Sequence, residues 1–216
     1  MALPPLTPEQ RTAALAKAAE LGWRAFWRQH SPQLPHERAK RNRDVMGLAG
    51  ISLDVLAGAV LAQWPHAEAR LAARYAACEI NGFPDWLAPL AEAHPSAVRE
   101  ALEPALHAEF AAAPGPLGAC ALLDAVSHSE PPVLAALGPV LAVLLSTHEA
   151  GSVPALEYGL SVPAMHPDVC PPPGLDWVAE RCRASVTEPD RFGLWMQHWL
   201  DREAQAAVDE LHHDLR

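Results

Sequence analysis

Apolar residues recur with the period of an α-helix along most of the chain. Val98, Leu102, Leu106 and Phe110 are each four residues apart. Spacings of three and four place side chains on one face of a helix, whereas a strand alternates with a period of two. The most complete apolar face consists of Phe192, Trp195, Met196, Trp199 and Leu200. The pattern therefore predicts amphipathic helices.

Capping signals divide the first part of this pattern into two helices. Thr7 as N-cap and Pro8 at the first helical position predict a helix that runs to about residue 28. A second helix is predicted over about 47–64, ended by Pro65, and we expect its Gly58 to face a neighbouring helix. The side chains predicted to point inward from this second helix are Ile51, Leu53, Leu56, Val60 and Leu61.

Residues 71–110 predict antiparallel helix packing. A helix over 66–80 would end at Asn81-Gly82, because this pair suits a left-handed C-cap. Shorter helices are predicted over about 85–93 and 95–112, and further helices over 117–128 and 131–145. The C-terminal part predicts a helix that carries Leu175 and Val178, the aromatic face from Phe192, and a last helix capped by Asp201.

A weak internal repeat accompanies these helices. The segments AHPSAV (93–98), SEPPVL (129–134) and MHPDVC (165–170) recur at intervals of 36 residues, each with a proline where a helix could begin. A period of this length, built on helix pairs, is typical of a HEAT-like α-solenoid. The alternative is an irregular helical bundle in which prolines only mark helix starts.

Composition supports an all-α fold. The chain has 216 residues, half of them hydrophobic and only 6% aromatic, and it is rich in alanine, which favours helix over strand. We divide it into an N-terminal helix and basic loop, 1–45, and a helical-repeat body, 46–216, that together form one continuous domain.

Charge is distributed unevenly between these two parts. The formal net charge is −10, yet residues 1–45 hold eight Lys and Arg against four Asp and Glu. The acidic total disfavours nucleic-acid binding, which phosphate neutralisation drives. The basic head could dock a nucleic acid or an acidic partner, but we favour a solvated basic turn. A tryptophan pair on the first helix could anchor a partner, but we favour packing in the core. These candidate partner-binding residues are Arg38, Lys40, Arg41, Arg43, Trp23 and Trp27.

Cysteine spacing and hydropathy bear on the compartment. Cys78, Cys120, Cys170 and Cys182 form no C-x-x-C pair, and Met1 is not followed by the apolar stretch of a signal peptide. The longest apolar run, 133–145, is too short to span a bilayer, which needs about twenty residues. These features predict a cytoplasmic protein that does not cross a membrane.

Motifs for chemistry are missing from the sequence. It contains no H-E-x-x-H, no G-x-S-x-G and no G-x-x-x-x-G-K-[ST]. Glu103 and His107 are four residues apart, with Glu109 close by, but two neighbouring ligands do not make a metal site. We therefore assign no catalytic, cofactor-binding or metal-binding residue.

Two segments resemble a known family. ARYAACEINGFPDWLAPLAEAHPSAVREAL (73–102) and LWMQHWLDREAQAAVDEL (194–211) are similar to stretches in the irregular HEAT-like repeat regions of large bacterial STAND/NACHT-type ATPases. The ATPase domain itself is missing, because the phosphate-binding loop is not present. The resemblance implies a repeat region that binds or senses a partner, and it carries no individual site residue.

Two classes of function remain open at this point. The first is a non-catalytic interaction or sensing module that presents a helical surface to another protein, and it predicts an exposed apolar patch with acidic surroundings. The second is a small all-α metal-dependent enzyme, which needs at least three Glu, Asp or His side chains to converge. We favour the first class.

Overall fold

The computed structural model describes residues 8–34, 42–79, 81–113 and 120–214, and these residues form an all-α fold. The predicted fold class is confirmed, since the described ranges contain ten α-helices and no strand. One 3₁₀ turn, Leu61–Gln63, precedes the third helix. The helices are α1 (Pro8–Gln29), α2 (Asn42–Leu56), α3 (His66–Ala76), α4 (Leu87–Ala93), α5 (Pro95–Ala111), α6 (Ala121–Ser127), α7 (Pro131–Thr147), α8 (Val153–Met165), α9 (Leu175–Ala184) and α10 (Pro189–Asp214).

The second helix differs from its prediction at both ends. It begins at Asn42 and ends at Leu56, eight residues before Trp64. Gly58 follows in the left-handed region, with φ of 88°, and a Cβ added there would meet open space. The expectation that Gly58 faces a neighbouring helix is therefore wrong. Glycine is permissive at positive φ, so this residue turns the chain and does not mediate packing.

Gly47 and Gly50 make the close helix contacts instead. A Cβ at Gly50 would overlap the backbone carbonyl of Trp23 in α1, and one at Gly47 would overlap the ring of Tyr75 in α3. Both glycines are buried. α2 can therefore approach both neighbours only because these two positions lack a side chain.

Helices α3, α5 and α7 lie side by side, with α5 in contact with the other two. The pairs α4–α5 and α6–α7 have matching lengths, a seven-residue helix followed by a 17-residue helix. Pro95 and Pro131 occupy the first position of the two longer helices. The proline of the first two sequence motifs therefore starts the longer helix of each pair.

The third copy of the sequence motif has a different structure. Pro167 follows the end of α8 and lies in a turn, and α9 does not begin until Leu175. The turn packs closely on α7, because a Cβ at Gly138 would overlap the carbonyl of Val169. Only two of the three motif prolines therefore start a helix.

One apolar core runs through the described chain, from Trp27 in α1 to Ala207 in α10. Val98, Leu102, Leu106 and Phe110 are all buried, as their spacing predicts. In α10 the predicted aromatic face is buried at Trp195, Met196 and Trp199 and partly buried at its ends. The last helix predicted after Asp201 continues directly from this one, and the break lies at Glu203, whose φ and ψ are −152° and 73°.

Candidate interaction surface

A surface groove lies where the end of α2 meets the bend that precedes α4. The indole nitrogen of Trp86 donates a hydrogen bond to the Ser52 hydroxyl at 3.3 Å, which joins the two elements. The groove has a volume of about 540 Å³, within the range of roughly 300–1,000 Å³ typical of binding pockets. We call it the α2–α4 groove, and its described lining residues are Ser52, Val55, Leu56, Glu79, Asn81, Pro84, Asp85, Trp86 and Pro89.

The early end of α2 creates one side of this groove. The backbone nitrogen of Ala57 donates a hydrogen bond to the carbonyl oxygen of Leu53, four residues earlier. The nitrogen of Gly58 donates to the carbonyl oxygen of Val55, only three residues earlier, so the chain turns more tightly there. Because the chain turns away here, Leu56 has no neighbour to cover it and is 83% exposed. Val60, just beyond the turn, is 54% exposed. The prediction that Leu56 and Val60 point inward is therefore wrong, and both side chains face solvent.

The bend between α3 and α4 creates the other side. Gly82 has a φ of 98°, in the left-handed region that favours glycine, and Pro84 follows two residues later. Trp86 is buried just before α4 and held by its hydrogen bond to Ser52, and it lines the same groove as Leu56 and Pro84. The groove lining thus combines a leucine that is 83% exposed with a tryptophan that is 5% exposed.

The charges in the groove are all acidic. The charged residues of the described lining are Glu79 and Asp85, and this lining contains no Lys, Arg or His. Asp85 is exposed and Glu79 is half-buried. The described lining of the groove therefore combines apolar side chains with two carboxylates.

The predicted tryptophan pair divides between core and surface. Trp27 is fully buried, its ring 5.2 Å from that of Trp64, whereas Trp23 is 38% exposed. Within the described structure only Trp23 can reach a partner from this pair. Trp27 instead packs in the core, which was the other interpretation of the pair.

Trp27 belongs to a cluster of charged groups around the buried carboxylate of Asp54. The carboxylate accepts hydrogen bonds from Arg24 at 2.6 Å, from Arg28 at 2.5 Å and from the Trp27 indole at 2.9 Å. Burial alone would raise the pKa of Asp54, but these hydrogen bonds outweigh it and lower the pKa below its usual value. Arg28 also pairs with Glu68 of α3. The cluster therefore fixes α1 to α2 and α3.

The basic head is only partly described. Arg43 lies in the first turn of α2 and is exposed. Arg38, Lys40 and Arg41 lie outside the described residues. Their role in partner binding stays a prediction.

The acidic and imidazole groups singled out from the sequence do not converge. Glu109 crosses from α5 to accept hydrogen bonds from the backbone nitrogens of Leu122 and Leu123, at 2.9 and 2.8 Å, so it caps the start of α6. Burial raises its pKa even though these hydrogen bonds oppose the shift. His107 lies 3.9 Å from Glu103 on the surface of α5. Within the described ranges no three His, Cys, Asp or Glu residues form a group suited to a metal ion.

Two buried side chains of α10 have polar atoms with no hydrogen-bond partner in the described structure, Nε2 of His198 and Nε1 of Trp199. His198 is only 6% exposed. Burial and, to a smaller extent, the nearby charge of Arg202 lower its pKa to about 4, while Asp201 opposes the shift. His198 is therefore neutral at pH 7.

Comparison of the chain with protein-family models, curated proteins and solved structures gives no match. Among the described helices none is long and apolar enough to cross a bilayer.

Sequence reasoning missed the α2–α4 groove, although a signal for it exists. Gly58 lies two residues after Leu56, where a glycine often ends a helix. An earlier helix end would have placed Leu56 and Val60 beyond the packed part of α2. The acidic residues Glu79 and Asp85 are separated from Leu56 by more than twenty positions, so only the folded chain brings them together.

Proposed function

We propose that this protein is a non-catalytic helical-repeat module that binds another protein through the α2–α4 groove. The exposure of Leu56 beside the fixed ring of Trp86 is the observation that carries the proposal. Exposed apolar surface next to a formed concavity favours binding, because covering it removes apolar area from water.

The repeated pairs α4–α5 and α6–α7 support the helical-repeat part of the proposal. Each pair contributes its longer helix to the row formed by α3, α5 and α7. Rows of this kind are what an irregular HEAT-like solenoid builds, and such arrays use extended surfaces to bind partners. We propose further that the chain is a partner-binding or sensing part, like the repeat regions that it resembles in bacterial STAND/NACHT-type ATPases.

The state of the thiols supports a cytoplasmic location. The four cysteines form no disulfide with one another in the described structure, and all four thiols are buried. Free thiols persist where the compartment is reducing, whereas extracellular proteins commonly pair theirs.

The test is affinity capture from a lysate of the host cell with three versions of the tagged protein. These are the unchanged chain, Leu56→Asp in the groove, and Val186→Asp as a matched control, because Val186 is 56% exposed in the turn between α9 and α10. Neither change should affect folding by more than about 0.5 kcal/mol, since both sites are exposed, and the thermal unfolding midpoint checks this.

A stoichiometric protein captured by the unchanged chain and by Val186→Asp, but lost with Leu56→Asp, supports the proposal. If all three versions captured the protein equally, the groove would not be its binding site. Metal analysis of the same eluate tests the enzyme alternative. A stoichiometric metal without a protein partner would overturn the interaction function.

A further inference from the structure

The solvent-facing side of α2 carries no charged side chain along three turns. Val45, Ala49, Ser52 and Leu56 are spaced by four, three and four residues, so they form one stripe on the helix, which we call the α2 stripe. Val45 is 53% and Leu56 is 83% exposed, and the other two are half-buried. The charged residue between Val45 and Leu56 in the sequence is Asp54, which is buried. A solvent-exposed helix face normally carries charged side chains, so the α2 stripe has the composition of a contact surface.

The α2 stripe is symmetric in the size of its side chains. From one end to the other they are large, small, small and large. When the α2 helices of two copies lie antiparallel across the middle of the stripe, Val45 of each copy meets Leu56 of the other. Ala49 then meets Ser52 at the crossing point, where small side chains let two helices approach closely. The stripe is therefore complementary to itself about a twofold axis, as an interface between identical chains must be.

The electrostatics of the chain also suit this arrangement. Antiparallel helices place the positive N-terminal end of each dipole beside the negative C-terminal end of the other. The Ser52 hydroxyl already accepts a hydrogen bond from Trp86, so covering it leaves that group with a partner. Two copies with a net charge of −10 repel each other, and an uncharged contact surface adds no further pair of like charges. Salt should therefore strengthen the association, because it screens the repulsion.

We propose that a second copy of this chain covers the α2 stripe through a twofold, antiparallel contact of the two α2 helices. The stripe is about 17 Å long at the helical rise per residue, so the contact belongs to the small interfaces that dissociate readily. Val45 of each copy covers Leu56 at the edge of the other copy's α2–α4 groove. The dimer would thus compete with a protein partner for that groove. This inference goes beyond the proposed function and does not depend on it.

Sedimentation velocity of the full chain, from about 5 to 500 μM, measures the association. We expect a reversible dimer that tightens as the salt concentration is raised. Val45→Lys and Leu56→Glu should each weaken it at least about tenfold, because each places two uncompensated charges against apolar side chains in the dimer. Val186→Asp is the control, because it adds the same charge as Leu56→Glu at an exposed position between α9 and α10, and it should leave the dimer unchanged. The thermal unfolding midpoint shows that each variant is folded.

Mixing the two weakened variants tests the antiparallel register. In the mixed dimer the lysine introduced at position 45 of one chain faces the glutamate introduced at position 56 of the other. The second half of the contact keeps its original pair of Val45 and Leu56. The mixture should therefore associate at least about tenfold more tightly than either variant with itself. A parallel pair would place each introduced charge against an apolar side chain, so it would show no recovery.

Three results would overturn the inference: a monomer at every concentration, a dimer that survives both substitutions, or variants that do not associate on mixing. Val45 is outside the described lining of the α2–α4 groove, so Val45→Lys should lose the dimer and still capture a protein partner. Capture that Leu56→Asp abolishes, from an unchanged chain that stays monomeric, would reject the dimer and leave the proposed function standing. A dimer that obeys the mixing test, without any captured protein, would support this inference and reject the proposed function.

Discussion

Replacing glycine by alanine should change the stability of the protein in opposite directions at Gly50 and Gly22, which lie in neighbouring helices. Gly50 of α2 lies against α1, where a Cβ would overlap the carbonyl oxygen and carbon of Trp23. Gly22 of α1 has nothing within 4 Å of an added Cβ. Replacing either by alanine improves helix propensity by up to about 1 kcal/mol. Only at Gly50 does the methyl group collide with another helix.

The collision at Gly50 cannot be relieved by a side-chain rotation, because the atoms that it meets are backbone. The two helices must separate, and their separation strains the hydrogen bonds from Arg24, Trp27 and Arg28 to Asp54. Overpacking of this kind typically costs about 1–3 kcal/mol. We expect Gly50→Ala to lower the free energy of unfolding by about that amount, and Gly22→Ala to raise it by about 0.5–1 kcal/mol.

Urea unfolding followed by circular dichroism at 222 nm measures both changes. A shift of the midpoint without a change of the slope reports stability alone. The reasoning would be refuted if Gly50→Ala were as stable as the unchanged chain, because α1 and α2 would then not be in the close contact described. A loss of stability in Gly22→Ala would contradict the open surroundings of that residue.

Three further predictions concern buried polar groups. The pKa of His198 falls from about 6.5 to about 4 on folding, so the unfolded state takes up the proton first. The stability should therefore be full above pH 6.5 and fall by about 3 kcal/mol as the pH drops to 4. The urea unfolding midpoint of His198→Gln should lack this dependence on pH. Asp54→Asn should lower the free energy of unfolding by about 2–4 kcal/mol, because it leaves arginines without their buried carboxylate; unchanged urea unfolding would show that the cluster is not stabilising. Glu109→Ala removes the acceptor for two backbone nitrogens at the start of α6 and should lower stability by about 1–2 kcal/mol, with faster amide hydrogen exchange at Leu122 and Leu123 as the local readout.

The fold class could be predicted from the sequence because the helical period is a local property. The faces at 98–110 and 192–200 depend only on spacings of three and four residues, and their side chains are buried or partly buried. Pro95 and Pro131 likewise mark helix starts, since a proline is tolerated where the helix has no intrahelical use for its N–H.

The positions that depend on a neighbour in space were not predictable in this way. Gly47, Gly50 and Gly58 look alike in the sequence, and only the packing distinguishes two close contacts from a left-handed turn. The third motif has its proline at the same position as the first two, yet Pro167 lies in a turn whose Val169 packs on α7, and it starts no helix. A short motif permits a helix start, but the neighbouring helix decides whether one forms there.

The candidate site shows the same division between local and tertiary information. The sequence determined that the chain is helical, that its body is acidic and that Leu56 is apolar. Tertiary structure alone decided that α2 ends at Leu56, that this leucine is exposed, and that Glu79, Asp85 and Trp86 meet it in one groove. The physical reason is that burial and charge proximity are set by which helices pack together, and packing joins residues that the sequence separates.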